Sequence, residues 1–435
     1  MQAEQQELLV RTDAGTPCGN LLRAYWQPIA TSEELPQGGA PIPVTVMGEE
    51  LVLYRDAKGK IGLLGRRCPH RSVDLCYGRI EEQGLRCIYH GWLFDTAGKL
   101  LEQPGVSQSS LSGRLKHKAY PCHEAGGLIF TYMGAGEPPL FPNYEFLDTT
   151  DDERCVVKVF HDCNYFQAVE GNMDQVHLSF LHRMVPVKAK ALLDLAEKAP
   201  GSSSSPMALL NLDVSPNIEV EKTSFGMREI VTRAAPEGTY VKVENFVMPG
   251  FAAVPGPTHG DRGYLVNWHV PIDDVTHWKY MVTFKRGGLD VQKIRDSLLG
   301  PVPFGEDSKF AKPGERHGQN RDAMRSGEAF AGLGPGFAFH DLVICEAQGP
   351  ISDRTHEILG PEDKSVALVR RIMVDAMRDV EEGRDPPHIV RKASDNVFPE
   401  LAVIAEVIPK AKAPETHVAE RVASRRDAGR AKVPA

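Results

Sequence analysis

Residues 68–90 read CPHRSVDLCYGRIEEQGLRCIYH, with Cys68 and His70 close together at the start and Cys87 and His90 close together at the end. Each short loop offers one thiolate and one imidazole. Zinc modules group their ligands differently, as C-x₂₋₄-C followed by H-x₃₋₅-H. The mixed pairs suit a two-iron cluster in which two Cys hold one iron and two His hold the other. Zinc is the alternative on these ligand types, and four unrelated surface residues is the bland reading.

A second constellation lies in NYFQAVEGNMDQVHLSFLH, where Asp174, His177 and His182 form a D-x₂-H-x₄-H pattern. Phe166, Val169, Met173 and Val176 recur at steps of three and four, which predicts a helix. Asp174 and His177 would share one face of it, with Gln167 and Glu170 extending the stripe. His182 would point about 140° away from His177 on a regular helix. Both imidazoles therefore reach one ion only if the helix distorts or ends near Ser179. A pair of hydrogen-bonded core histidines is the competing reading. Two His and one carboxylate make the facial triad of non-haem iron oxygenases, which leaves positions open for O₂. Asp174, Asp341 and Glu346 all remain candidates for the carboxylate on residue type and spacing.

The elements around these residues divide into two textures. IPVTVMGEELVLYRDAKGKIGLLG reads as strand, turn, strand, turn, strand, with Gly48, Lys58 and Gly59 at the turns. GLIFTYMG at 127–134 reads as a closing strand, so that roughly 40–145 forms a small antiparallel β domain. YVKVENFVMPG and GYLVNWHVPI predict strands of a second sheet. KSVALVRRIMVDAMRDVEEG predicts a helix stopped by Gly383 and Pro386. GSSSSPM at 201–207 reads as a polar loop, and the tail from 408 as partly helical or frayed.

With 435 residues the chain has room for two or three domains. Its formal net charge of -8 argues against nucleic acid as a general partner. No stretch is apolar enough to span a membrane. The start MQAEQQELLVRTDAG lacks a signal-peptide pattern, so a cytoplasmic location is expected. Cys76 and the five cysteines outside the 68–90 segment suggest no disulfide framework and read as small buried hydrophobes.

RAYWQPIA, CPHRSVDLCYG, CIYHGWLFD, CNYFQAVEGNMDQVHLSFLH, VPIDDVTHWKY and ICEAQGPISDRTHEILGPED together resemble the terminal oxygenase α subunit of the Rieske non-haem iron aromatic ring-hydroxylating oxygenases. The last two resemble the phthalate dioxygenase branch. The resemblance covers nearly the whole chain. It implies that Cys68, His70, Cys87 and His90 bind a Rieske [2Fe-2S] cluster, and that His177, His182 and Asp341 bind a mononuclear Fe(II). It places Asp174 at the family's bridging carboxylate, between a cluster histidine and an iron-ligand histidine. A carboxylate that accepts the N–H of a ligand imidazole orients the ring and raises its basicity. Some relatives have Asn where this chain has Glu170-Gly171.

The implied fold is α+β: a small antiparallel β Rieske domain and a helix-grip catalytic domain with an antiparallel sheet covered by helices. The expected division is an N-terminal segment, 1–39, packing with the catalytic domain; the Rieske domain, 40–145; and the catalytic domain, 146–435. The resemblance also implies head-to-tail trimers, sometimes stacked in pairs. Electrons come from a separate NAD(P)H-dependent reductase, since no Gly-rich dinucleotide fingerprint follows a strand and GLGPG at 332–336 lacks the spacing. The expected reaction is dihydroxylation or monooxygenation of an aromatic, carboxylate-bearing substrate, with O- or N-demethylation as the alternative on the same iron ligands. A Rieske electron carrier with a large appended domain, or a zinc-stabilised binding module, are the readings from other classes. The pocket is expected within 200–260 and around 330–345. Lys222, Arg228, Arg233 and Lys242 are candidate partners for a carboxylate there, with solvated surface charge as the preferred reading of each.

Overall fold

The fold is that of a computed structural model, which describes residues 1–108, 111–183, 206–258, 262–299, 317–334 and 336–430. Most of the polar run at 201–207, and parts of the expected pocket ranges, lie outside these residues.

The N-terminal segment holds helices α1 (Ala3–Val10) and α2 (Pro17–Arg23) and strand β1 (Trp26–Thr31). The expected three-strand run follows as β2 (Ile42–Val46), β3 (Glu49–Arg55) and β4 (Ile61–Gly65). These form one antiparallel sheet, completed by β9 (Ala119–Tyr120). Met47 and Gly48 make the two-residue turn between β2 and β3, with φ of 48° and 79°, the left-handed conformation that a tight hairpin requires. Met47 N–H donates to the Pro271 carbonyl at 2.9 Å and Gly48 N–H to the Ile272 carbonyl at 2.7 Å, so this turn is bonded to the catalytic sheet.

A second small sheet contains β5 (Arg79–Glu81), β6 (Gly84–Arg86), β7 (Leu93–Phe94) and β8 (Leu100–Glu102). Val52, Leu64, Leu85, Phe94 and Leu100 pack between the small sheets, together with Cys68 and Cys87. The strand expected to close this domain, β11 (Leu128–Tyr132), does not join β2–β4. It pairs with β1 and β10 (Cys122–Ala125) in a separate three-stranded sheet. All five of its residues are buried, so it needs cover on both faces.

The large sheet is antiparallel throughout, in the order β12-β18-β17-β16-β15-β14-β13. Its strands are β12 (Arg154–His161), β13 (Asn217–Thr223), β14 (Gly226–Ala235), β15 (Gly238–Val247), β16 (Phe251–Val254), β17 (Leu265–Pro271) and β18 (His277–Phe284). A further strand, β19 (Ile404–Ile408), pairs with β15. Helices α3 (Tyr165–Asn172), α4 (Pro206–Leu212), α5 (Val291–Leu299), α6 (Arg321–Ser326), α7 (Phe337–Ala347), α8 (Lys364–Glu381) and α9 (Pro414–Arg430) accompany it. The helix read from 364–383 is α8, and Gly383 follows its end at φ 73°. Its buried positions Val366, Val369, Ile372, Met373, Ala376 and Met377 keep the helical period. Most of them share a core with Leu9, Val10, Leu21 and Leu22 of the N-terminal helices. Among the described residues, no helix is long and apolar enough to cross a membrane.

Candidate metal centres

The two cysteine loops are built alike. Cys68 N–H donates to the Val73 carbonyl, and the Cys68 carbonyl accepts from Ser72 N–H. Cys87 N–H donates to the Trp92 carbonyl, and the Cys87 carbonyl accepts from Gly91 N–H, so the same two bonds recur at the same offsets. The fourth residue after each cysteine is left-handed, Ser72 at φ 56° and Gly91 at φ 74°. Both cysteines are buried while both histidines are exposed. The His70 and His90 rings lie 4.4 Å apart, and Trp92 stacks on His70 at 4.6 Å and 3°. Burial pushes the Cys68 thiol up to about 11, and the neighbouring Cys87 adds to that effect. A metal holding these sulfurs must displace their protons. The two loops thus carry a pair of neighbouring buried sulfurs and a pair of neighbouring exposed imidazoles.

The predicted helix over the second constellation is shorter than its pattern. Asn164 caps it by accepting from Phe166 N–H, and α3 ends at Asn172. Gly171 has poor helix propensity, and Asp174 competes for the backbone. The Asp174 Oδ1 accepts from Val176 N–H at 2.9 Å and His177 N–H at 3.2 Å. A 3₁₀ turn then covers His177–Ser179. This break brings the two rings, which a straight helix would hold apart, to a centroid distance of 5.1 Å.

Helix α7 supplies the carboxylate to this pair. Asp341 Oδ1 lies 2.9 Å from His182 Nε2 and 3.8 Å from His177 Nε2. Ligand atoms of His177, His182 and Asp341 all fall within 4.8 Å of one another. Glu346 turns elsewhere: it accepts from Asp162 N–H at 2.9 Å and lies 3.1 Å from His317 Nε2. Asp174 stands outside the triad, its Oδ1 3.8 Å from His177 Nδ1, and its side chain is 38% exposed.

The donor set fits a divalent cation. His177 Nδ1 and both ring nitrogens of His182 are buried without a hydrogen-bond partner. Burial lowers the His182 pKa and so favours the neutral, ligating ring. Burial would raise the Asp341 carboxyl, but Lys279 and the two histidines hold it well below the usual range. Burial also works to raise Asp174, yet His177 outweighs it and keeps that carboxyl low. Asp341 and Asp174 are therefore both anionic beside the imidazoles.

A second buried group, His161, Cys163 and His277, also has ligand atoms within 4.8 Å of one another. Here the His277 ring is already engaged, while both ring nitrogens of His161 are buried without a hydrogen-bond partner. His277 Nδ1 lies 2.8 Å from the Cys163 carbonyl and must donate to it, so its Nε2 accepts from His269 Nδ1–H at 3.1 Å. His269 Nε2 in turn accepts from the Asn172 amide at 2.8 Å. Asn172, His269 and His277 thus form a hydrogen-bonded chain that ends on the Cys163 carbonyl.

The expected surface cations prove different from their reading. Only Lys222 is solvated, its side chain 57% exposed and 3.6 Å from Asp375. Arg228, Arg233 and Lys242 are buried. Arg228 pairs with Glu221, and Arg233 donates to the backbone carbonyls of Asp213 and Gln175. Lys242 lies 2.6 Å from Glu244 and donates to the Gln175 side chain. They point inward because β14 and β15 are covered by helices as well as by neighbouring strands. Sequence reasoning missed Lys279, a buried cation that contacts the triad itself at Asp341. The available signal was a lysine inside the otherwise strand-like run HWKYMVTF.

Similarity to known proteins follows the same two parts. The model of the Rieske [2Fe-2S] domain matches residues 25–121, and the model described as LigXa C-terminal domain like matches 131–429. The phthalate 4,5-dioxygenase oxygenase subunit of Pseudomonas putida is 32% identical over 397 residues, 87% of this chain and 87% of that protein. The 5,5'-dehydrodivanillate O-demethylase oxygenase subunit of a Sphingobium species is 32% identical over 410 residues, 91% of this chain and 85% of that protein. In a solved reduced complex between oxygenase and ferredoxin in carbazole 1,9a-dioxygenase, a chain shares the fold with a TM-score of 0.55 at 20% identity, covering 91% of this chain and 97% of that one. The electron-carrier and zinc-module readings do not fit these relatives. The chain belongs to the Rieske non-haem iron oxygenases, as an oxygenase component that uses a [2Fe-2S] cluster and a mononuclear iron.

Proposed function

We propose that Cys68, His70, Cys87 and His90 hold the cluster, that His177, His182 and Asp341 hold the mononuclear iron, and that the substrate is an aromatic acid oxidised by dihydroxylation or monooxygenation. The observation that carries the ligand set is the convergence of three side chains from two separate segments, with the Nε2 atoms of both imidazoles facing one carboxylate oxygen. When bound, the iron supplies the redox chemistry that activates O₂. The chain's own residues orient and insulate it. Phe337 stacks on the His182 ring at 3.7 Å and fixes its plane. Ala338, Leu342 and Val343 of α7 join Val157, Leu265 and Met281 in an apolar cluster that keeps water from that side.

Asp174 belongs to the electron path in this reading. It lies beside His177 and reaches the surface, where the exposed His70 or His90 of a neighbouring subunit could accept its contact. Three chains in a head-to-tail ring, alone or as stacked trimers, would bring such a pair together. A separate NAD(P)H-dependent reductase in the cytoplasm would supply the electrons. The chain then divides into 1–39, packed with the catalytic part; 40–145, the Rieske domain; and 146–435, the catalytic domain. A second reading, O- or N-demethylation with release of formaldehyde, draws support from the O-demethylase subunit, which matches at the same identity as the phthalate dioxygenase subunit.

The test combines the reconstituted chain and a reductase with a panel of aromatic acids and aryl methyl ethers. A cis-dihydrodiol or phenol from the acids supports the first reading; formaldehyde from the ethers supports the second. No oxygenated product from either set would reject both. In the same system Asp174→Asn should retain both metals and dithionite reduction of the cluster, while single-turnover reoxidation slows by more than about tenfold. A normal reoxidation rate would remove Asp174 from the electron path.

A further inference from the structure

Resting on that ligand set, we infer that Lys279 is a positioning residue that holds Asp341 to the iron through a single carboxylate oxygen. The two oxygens of Asp341 have separate partners. Oδ1 faces the imidazoles, 2.9 Å from His182 Nε2 and 3.8 Å from His177 Nε2. Oδ2 accepts from Lys279 Nζ at 3.2 Å. The carboxylate is therefore already divided between a metal-facing atom and an ammonium-facing atom.

The fold keeps Lys279 in that place. It stands on β18, which is bonded to β12 on one side and β17 on the other, opposite Val159 and His269 in the two registers. A residue in such a central strand cannot shift without slipping the sheet. Its side chain is 2% exposed, so its ammonium is largely removed from bulk solvent. Among the described residues its one hydrogen bond is to Asp341. A buried ammonium that gives up its carboxylate partner is left uncompensated, which is strongly unfavourable. Lys279 therefore has every reason to keep Oδ2 after a cation arrives at Oδ1.

The consequence is a count of open positions. An octahedral ion held by two imidazoles and one carboxylate oxygen keeps three further positions, whereas a chelating carboxylate leaves two. The ammonium would thus preserve a position for O₂ or substrate. It would also weaken metal binding, because two cations then share a poorly solvated site. Tight retention of iron is exchanged for access to it.

The test loads Mn(II) into the mononuclear site of the full chain with its cluster oxidised, and counts bound waters by electron paramagnetic resonance in ¹⁷O-water. Three waters are expected in the wild type and in Lys279→Arg. Lys279→Met should show two waters and bind Mn(II) about tenfold more tightly. Two waters in the wild type would overturn the inference, and this measurement stands even if Lys279→Met fails to fold. Three waters in a folded Lys279→Met would overturn it as well. Asp341→Ala separates this failure from failure of the ligand set. Unchanged Mn(II) affinity in that variant would reject Asp341 as a ligand, and the inference with it.

Discussion

Glu229 and Glu244 face each other across β14 and β15, both buried, and the side-chain amide of Gln175 donates to both. Like charges directly opposite in a sheet repel. Burial and the charge of Glu244 accordingly raise the Glu229 pKa to about 8. Lys242 and Ser365 complete the cluster. Because Gln175 adjoins Asp174, this acid pair anchors the turn that leads into the triad.

The pH dependence of stability follows with a definite sign. Glu229 holds a proton in the folded chain up to about pH 8, whereas in the unfolded chain it loses that proton near 4.5. Its contribution to stability is therefore full below about pH 4.5 and is lost as the pH rises through about 8. Urea midpoints measured from pH 5 to 9 should fall across this window. Glu229→Gln should flatten that fall, and an unchanged slope would remove Glu229 as its source.

The cluster ligands make a visible prediction. The wild type should be red-brown, and Cys68→Ala or Cys87→Ala should be colourless. Replacing His70 with Cys should lower the reduction potential of any cluster that remains. Trp92 packs in the small-domain core and stacks on His70. Trp92→Ala should cost about 3–5 kcal/mol of domain stability and hasten bleaching by a chelator.

Iron content tests the second site. His177→Ala, His182→Ala and Asp341→Ala should each lower iron from about three to about two per chain, with the cluster spectrum intact. Turnover should fall below detection. Glu346→Ala should keep the iron, because Glu346 is already bonded to Asp162 N–H and His317. Loss of iron in that variant alone would reassign the carboxylate ligand.

A buried ion network holds Glu170 of α3. Arg354 forks onto Glu170 at 2.7 and 3.0 Å, and Arg370 binds Glu170 at 2.6 Å while also pairing with Glu357. Both arginines are buried. Glu170→Ala leaves two guanidinium groups short of a partner, so the loss should reach about 3–5 kcal/mol by urea unfolding. A change below about 1 kcal/mol would mean that water or Glu357 takes over.

The local elements were legible where one rule governed them. The hairpins at 42–65 carry their turn residues, and α8 carries its period and its stop. The helix before His177 was misread in length because Phe166, Val169, Met173 and Val176 keep a helical step while Asp174 ends the helix through its own side chain. The place of β11 was hidden for another reason. A strand buried on both faces has no alternation to reveal its sheet, and its partner β1 lies about a hundred residues earlier. The inward cations were equally hidden, since a lysine's letter is the same whether it meets water, as Lys222 does, or Glu244, as Lys242 does.

The Met47-Gly48 turn, bonded through its backbone to Pro271 and Ile272, ties the cluster-bearing part to the catalytic sheet. A hinge motion that changed the distance between the two metals of one chain would have to strain or break these bonds. If the electron crosses between subunits, its rate becomes a property of how many neighbours are docked. Specific activity should consequently fall with dilution, and chemical cross-linking of the assembled ring should abolish that fall without altering either metal.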